Sequence, residues 1–377
     1  MTTLPQLRVP EGDRAARLAW ARLVEPGDSA AARLVAAVGA EQALHGLDPG
    51  SALAQRVLPR LETLDVVRDL EIVRALAARV VVPGDDEWPA GLDGLAEPPF
   101  CLWVRGPLDL GEACARSVAV VGARAATGYG VHQARELAAG LAERRFTVVS
   151  GAAYGIDGAA HEGALAVDGA TVAVVAGGLD RPYPAGHAGL LARIAEVGAV
   201  VSEVPPGSSP SRWRFLKRNR LIATMTQGTV VVEAGLRSGS RNTATTARDH
   251  YRVVCAVPGP VSSAASAGCH VLIRDGATLV TDAAEVAQEV GPIGELAPHK
   301  QGPSTPEDDL EPVHRAVLGV LRVRSSTSAD EVARQCGTSA AEAVGALGIL
   351  VANELATRDQ DGYRRMRRVP PDQQGGG

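Results

Sequence analysis

Residues 117–130 read SVAVVGARAATGYG, and residues 147–163 read TVVSGAAYGIDGAAHEG. In each, a run of small and β-branched residues without polar alternation meets a glycine turn, and an Ala-rich amphipathic stretch follows. A strand buried on both faces reads this way, because helices cover both sides of a parallel sheet. The same pattern returns in TVAVVAGG, GAVVSE, TVVVEAG, RVVCAVPG and ATLVTD, with helical candidates at 129–145, 157–167, 186–196, 211–226 and 241–251. The alternation predicts an α/β fold: an extended Rossmann-type, mostly parallel sheet with helices on both faces.

Outward from this centre the pattern changes. From Ala15 to Val82, Leu18, Leu23, Leu34, Val38, Leu44 and Leu47 recur at roughly helical spacing, so residues 1–82 are expected to form a small helical domain of the SAM or helix-hairpin-helix type. Pro83, Pro89, Pro98, Pro99 and Pro107 make 83–116 a turn-rich connector at the head of the sheet domain, 83–290. Residues 291–308 are rich in Pro and Gly and read as a linker. Residues 309–370 give three helices and a hairpin, with capping boxes at Ser328/Glu331 and Ser339/Glu342 and a last strand YRRMRR, a pattern that predicts a winged helix.

Bulk composition narrows the class. A chain of 377 residues with 46% hydrophobic and 3% aromatic residues fills its interior with Ala, Val and Leu. No basic start leads into an apolar segment, and no run approaches the roughly 20 apolar residues of a membrane span. A cytoplasmic protein without membrane contact is expected. The cysteines at 101, 114, 255, 269 and 336 include no C-x-x-C pair; they read as small buried hydrophobes, and no metal is expected. A net charge of −5 requires any nucleic-acid site to be local.

Several chemistries lack their motifs. Neither lysine, Lys217 or Lys300, stands in a P-loop, and GARAATGYG lacks the G-x-G-x-x-G spacing that seats a pyrophosphate, so no nucleotide cofactor is expected. No G-x-S-x-G elbow occurs. Ser150, Asp157 and His161 invite a triad. A structural reading competes, in which Asp157 caps a helix and His161 bonds to it across one turn. No catalytic residue is assigned.

What remains points to phosphates. Glycine turns after strand ends gather loops at the carboxyl edge of the sheet, where ligands bind in open α/β folds. Gly122, Ala123 and Arg124 form the first of these turns, and Gly151 and Gly155 belong to the second. SRWRFLKRNR (211–220) interleaves Lys217, Arg218 and Arg220 with Trp213 and Phe215, while Asn219 adds a neutral donor and acceptor. Cations that track a backbone and a ring that stacks a base are what a single-stranded nucleic acid needs. Ser238, Gly239, Ser240 and Arg241 form a small polar turn before a helix, open to a phosphate. Glu233 reads as a ribose ligand or the partner of an arginine.

With VAVVGARAATGYG, VSGAAYGIDGAAH, GLDRPYP, SEVPPG, FLKRNR, EAGLRSGSRNTA and AVPG in this order, the chain resembles the DprA/Smf family of DNA-processing proteins over about residues 80 to 290. The resemblance implies a homodimer that binds single-stranded DNA in a basic pocket of an extended Rossmann domain and loads RecA recombinase during natural transformation or recombination. Ala123 stands where the family has serine, and Leu216 where proline is common. Two rivals are a nucleotide phosphoribohydrolase of the lysine-decarboxylase-like class, whose P-G-G-x-G-T signature is missing, and a winged-helix transcription factor.

Overall fold

The computed structural model describes residues 12–292 and 310–366. The linker expected at 291–308 lies, beyond Pro292, outside the described residues, as do Arg367 and Arg368 of the last strand. The chain divides into two units, Met1–Pro298 and His299–Gly377.

Five short helices open the first unit: α1 (Asp13–Leu23), α2 (Ser29–Val38), α3 (Ala40–His45), α4 (Ala52–Leu61) and α5 (Val66–Ala75). The chain then enters a nine-stranded sheet through β1 (Ala78–Val81) and β2 (Leu102–Arg105), passes α6 (Leu110–Ala115), and begins the alternation read from the sequence. Its strands are β3 (Ser117–Val121), β4 (Thr147–Ser150), β5 (Thr171–Val175), β6 (Ala199–Ser202), β7 (Gly228–Val231), β8 (Val253–Ala256) and β9 (Thr278–Leu279). Between them run α7 (Gly128–Glu143), α8 (Ile156–Ala166), α9 (Ala188–Val197), α10 (Arg212–Met225), α11 (Gly239–Asp249) and α12 (Ala267–Arg274); α13 (Ala283–Val290) follows β9.

The strand order is β1-β2-β6-β5-β4-β3-β7-β8-β9. From β3 to β9 every pairing is parallel, whereas β2 lies antiparallel to both β1 and β6. The chain moves outward from β3 to β6, then α10 carries it back to the other side of β3, where β7 begins the second half. The order therefore reverses between β3 and β7, which makes that junction the switch point of the sheet.

Side chains alternate between two buried layers, as a pleated strand demands. Val118 and Val120 join α7, α8 and α13, while Ala119 and Val121 join α10, α11 and α12. Val172 and Val174 point to the α10 side, and Ala173 to the layer shared with α9 and the N-terminal helices. That layer is continuous: Trp20, Leu23 and Leu44 belong to one apolar cluster with Trp103 of β2 and Val200 of β6.

Strands β1 and β2 are absent from the sequence reading, which gave 78–81 to the helical region and 102–105 to a connector. Prolines misled it. Pro83 follows β1, and Pro98, Pro99 and Pro107 bracket β2, so they mark strand ends without interrupting either strand.

In the second unit α14 (Pro312–Val320), α15 (Ala329–Cys336) and α16 (Ala340–Ala352) pack with a hairpin of β10 (Ala356–Asp359) and β11 (Gly362–Arg365) around Leu318, Leu347 and Leu350. Ser339 and Glu342 form the full capping box; Ser328 accepts the Glu331 amide. Among the described residues no single helix is long and apolar enough to cross a membrane. All five cysteines are free, and four of them, Cys336 excepted, are buried.

Candidate nucleic-acid interface

A cleft of about 420 Å³ opens at the switch point. Its walls are the turn after β3, the first half of α10, and the turn that starts α11. Gly122, Arg124, Phe215, Arg218, Asn219, Ser238, Gly239 and Ser240 all line it, together with Arg212 and Asp157. Eight residues named from the sequence thus meet in one place, although up to 118 positions separate them along the chain, from Gly122 to Ser240.

Four local contacts shape the rim. Gly155 has φ +79°, and a Cβ there would stand 2.3 Å from the Ala123 carbonyl oxygen, so glycine alone lets the second turn close on the first. The Ala123 amide donates to the carbonyl of Glu233 at 2.7 Å, which ties the β3 turn to the end of β7. Ser238 caps α11: its Oγ accepts the Ser240 amide and lies 2.7 Å from the Ser240 hydroxyl. Asn219 donates to the Gly239 carbonyl at 3.4 Å, joining α10 to that turn. The start of α11 thus lines a cleft that already holds guanidinium groups, a setting for an anion at a helix N-terminus.

The two cleft arginines differ in kind. Arg124 is exposed, and its guanidinium lies 4.7 Å from the centre of the Phe215 ring. Arg218 is 6% exposed; Nη1 donates to the Val174 carbonyl at 2.7 Å, and Nε has no hydrogen-bond partner. Burial lowers its pKa to about 10 against the opposing pull of Asp157, so it stays cationic at neutral pH. A Cβ on Gly151 would come within 1.8 Å of Arg218 Nη1, which explains a glycine at the end of β4. Asp157, also buried, has its pKa raised by desolvation, with Arg218 and the Ala153 and Gly122 amides pulling the other way.

Six named residues fall outside the cleft lining; Gly151 and Gly155 act through the close approaches just described. Ala123 serves through its backbone, as above. Lys217 points towards the N-terminal helices, with Nζ 3.5 Å from Glu97 and 5.1 Å from the Trp213 ring. Arg220 is 8% exposed and paired with Glu203 at 2.6 Å. Arg241 donates back to the Leu236 carbonyl. A basic stretch on a helix projects in all directions, so the α10 arginines and Lys217 diverge around the axis. Phe215 is half-buried, with Arg218 at 5.9 Å and the Tyr183 ring at 5.6 Å as further neighbours. Tyr183 belongs to GLDRPYP, quoted above without a role; the exposure of its ring appears only in three dimensions.

The triad and the ribose ligand dissolve. Ser150 Oγ donates to the Val120 carbonyl at 2.6 Å, and His161 Nδ1 pairs with Thr171 Oγ1 at 2.7 Å, not with Asp157 as the one-turn spacing suggested. Asp157 instead accepts the two backbone amides. Glu233 is buried; it takes the Thr127 amide at 2.9 Å and the Thr127 hydroxyl at 2.6 Å, so it neither lines the cleft nor holds an arginine.

Residues 79–291 match the family described as DNA recombination-mediator protein A. The chain is 48% identical over 366 residues to a DNA processing protein DprA of Mycobacterium tuberculosis, covering 93% of this chain and 94% of that one. It is 42% identical over 212 residues to the Smf protein of Escherichia coli, 56% of each chain. Among solved structures, DprA of Streptococcus pneumoniae superposes with a TM-score of 0.64 at 32% identity, covering 75% of this chain and 99% of that one. DNA processing protein A of Helicobacter pylori, described for its mode of binding single-stranded DNA, gives 0.51 at 28% identity over 55% and 93%. With the family match spanning more than half of the chain and the mycobacterial relative nearly all of it, the chain belongs to the DprA/Smf family of DNA-processing proteins.

Proposed function

We propose that this chain binds single-stranded DNA at the switch-point cleft and delivers it, as a cytoplasmic homodimer, to a RecA-type recombinase. One observation carries the reading: Arg124, Arg218 and the first turn of α11 line one cleft within a molecule of net charge −5. Such a site holds a phosphate backbone and ignores base identity. The Helicobacter pylori relative supports the choice of single-stranded DNA, and the family description supports hand-over to recombination.

Fluorescent oligonucleotides test it. Single strands should bind more tightly than duplexes of the same sequence, with affinity falling as salt rises by a log–log slope of about −0.7 per phosphate neutralised. Arg124→Ala should weaken binding to every sequence and make the slope shallower by about one phosphate contact. Arg124 is the informative position, because replacing buried Arg218 also disturbs Val174 and Asp157. Equal affinity for duplex and single strand, with Arg124→Ala silent, would remove the proposal. Delivery is read separately, as faster recombinase assembly on the same strand in the presence of the protein.

A further inference from the structure

The ring of the basic helix, Phe215, has its surroundings filled: two guanidinium groups lie over it at 4.7 and 5.9 Å, and Tyr183 stands against it at 5.6 Å with the planes 55° apart. Two rings in contact at that tilt leave no slot for a base between them, and Phe215 is half-buried. The exposed face belongs to Tyr183, which is 47% exposed.

Of the chain's 3 Phe, 4 Trp and 5 Tyr, Tyr129, Tyr154, Tyr183, Trp213 and Tyr251 are exposed, and of these Tyr183 is the one in ring contact with Phe215 of the cleft lining. Trp20, Trp103 and Phe146 are fully buried, whereas Tyr183 stays open to water on a fixed mount. Its loop, which follows β5, is bound to the loop after β6: the Gly178 amide donates to the Ser208 carbonyl at 2.9 Å, and the Gly207 amide donates to Asp180 Oδ1 at 2.8 Å. Arg181, two positions before Tyr183, is exposed, bonded to Ser209 Oγ at 3.1 Å and loosely paired with Asp180 Oδ2 at 3.8 Å. Strand β5 lies two places from β3 at the same carboxyl edge, so a strand that leaves the cleft over β4 meets Tyr183 next, with a guanidinium beside it.

We propose that Tyr183 is the base-stacking platform for single-stranded DNA running out of the cleft towards β5, and that Phe215 is the buttress that sets both Tyr183 and Arg124. This rests on the cleft reading above and adds the element that reads bases as flat faces. Stacking needs a base and no charge, so it separates from phosphate contact in a simple comparison.

The test uses the full chain with two single strands of equal length, one ordinary and one abasic along its central nucleotides. Wild-type protein should prefer the ordinary strand by about 5- to 150-fold, the range of one aromatic stack. Tyr183→Leu should erase most of that preference while leaving abasic-strand affinity and the salt slope unchanged, and Tyr183→Phe should keep the preference. Tyr154→Leu is the comparison, because Tyr154 is also half exposed but its ring edge and hydroxyl are held by His187 and the Gly186 amide; it should retain the preference. If Tyr183→Leu still discriminates, or Tyr154→Leu alone loses discrimination, the platform is elsewhere. Failure of Arg124→Ala to weaken the abasic strand would instead strike the cleft.

Discussion

His161 lies on α8 with no exposed surface, its Nδ1 on Thr171 and its Nε2 unpartnered. Burial lowers its pKa to about 3, with His187 and Arg218 pushing the same way. A general base works best with a pKa near the operating pH, so this imidazole is built as a neutral core group. The unfolded chain binds a proton near pH 6.5 that the folded chain refuses until about pH 3. The contribution to stability is therefore complete above pH 6.5 and declines as pH falls towards 3, by up to ~1.4 kcal/mol per pH unit. Denaturant titrations of wild type and His161→Gln across that window should show a shallower acid decline in the variant. Parallel declines would mean that the imidazole titrates normally in the fold. Sequence disclosed His161 and its distance from Asp157, but the true partner sits on the next strand, and no local spacing announces it.

Among the elements, α7 begins with a staple that spans the switch point. Thr127 caps the helix through a hydroxyl that the Gly130 amide meets at 3.1 Å, and the same hydroxyl and its own amide hold buried Glu233 at the end of β7. A Cβ on Gly130 would stand 2.2 Å from the Glu233 carboxylate, so the helix has left room for that acid. Thr127→Val keeps the shape and removes both hydroxyl bonds; a loss of about 1–3 kcal/mol in equilibrium unfolding is expected, with Thr127→Ser restoring most of it. A neutral result for Thr127→Val would show that the amide alone secures Glu233. Legibility varied in the same way across elements. Strands β3 to β8 are apolar on both faces and declared themselves, and the glycine turns told which strand ends would converge. The divergence of Lys217 and Arg220 from Arg218 was hidden, because composition counts charges and only helix phase and neighbours say where they point. The partnership of Glu233 with Thr127, 106 positions apart, was beyond any motif.

At the scale of the molecule, a globally acidic chain places Arg124, Arg212 and Arg218 together at one junction of its sheet, and every lining residue of that cleft precedes Pro292. The unit beyond has a separate core around Leu318, Leu347 and Leu350. A chain ending at Pro292 should therefore keep most of the single-strand affinity of the full chain in the same fluorescence titration, and its unfolding should lose whatever transition the C-terminal core contributes. Collapse of affinity on truncation would move the principal contact to the second unit. The domain-level reading of an α/β centre came from periodicity alone. The continuity of the N-terminal helices with that centre did not, because Trp20 meets the cluster of Trp103 and Val200 only in three dimensions.

The antiparallel insertion of β2 beside β6 also imposes a schedule on synthesis. Leu102–Arg105 leaves the ribosome well before Ala199–Ser202, its only partner on that side. At ~5–20 residues per second the wait is roughly 5–20 s. Throughout it the early helices carry an uncovered greasy underside, and the nascent chain is at its most vulnerable to mispairing before the sixth strand arrives to close the floor beneath them.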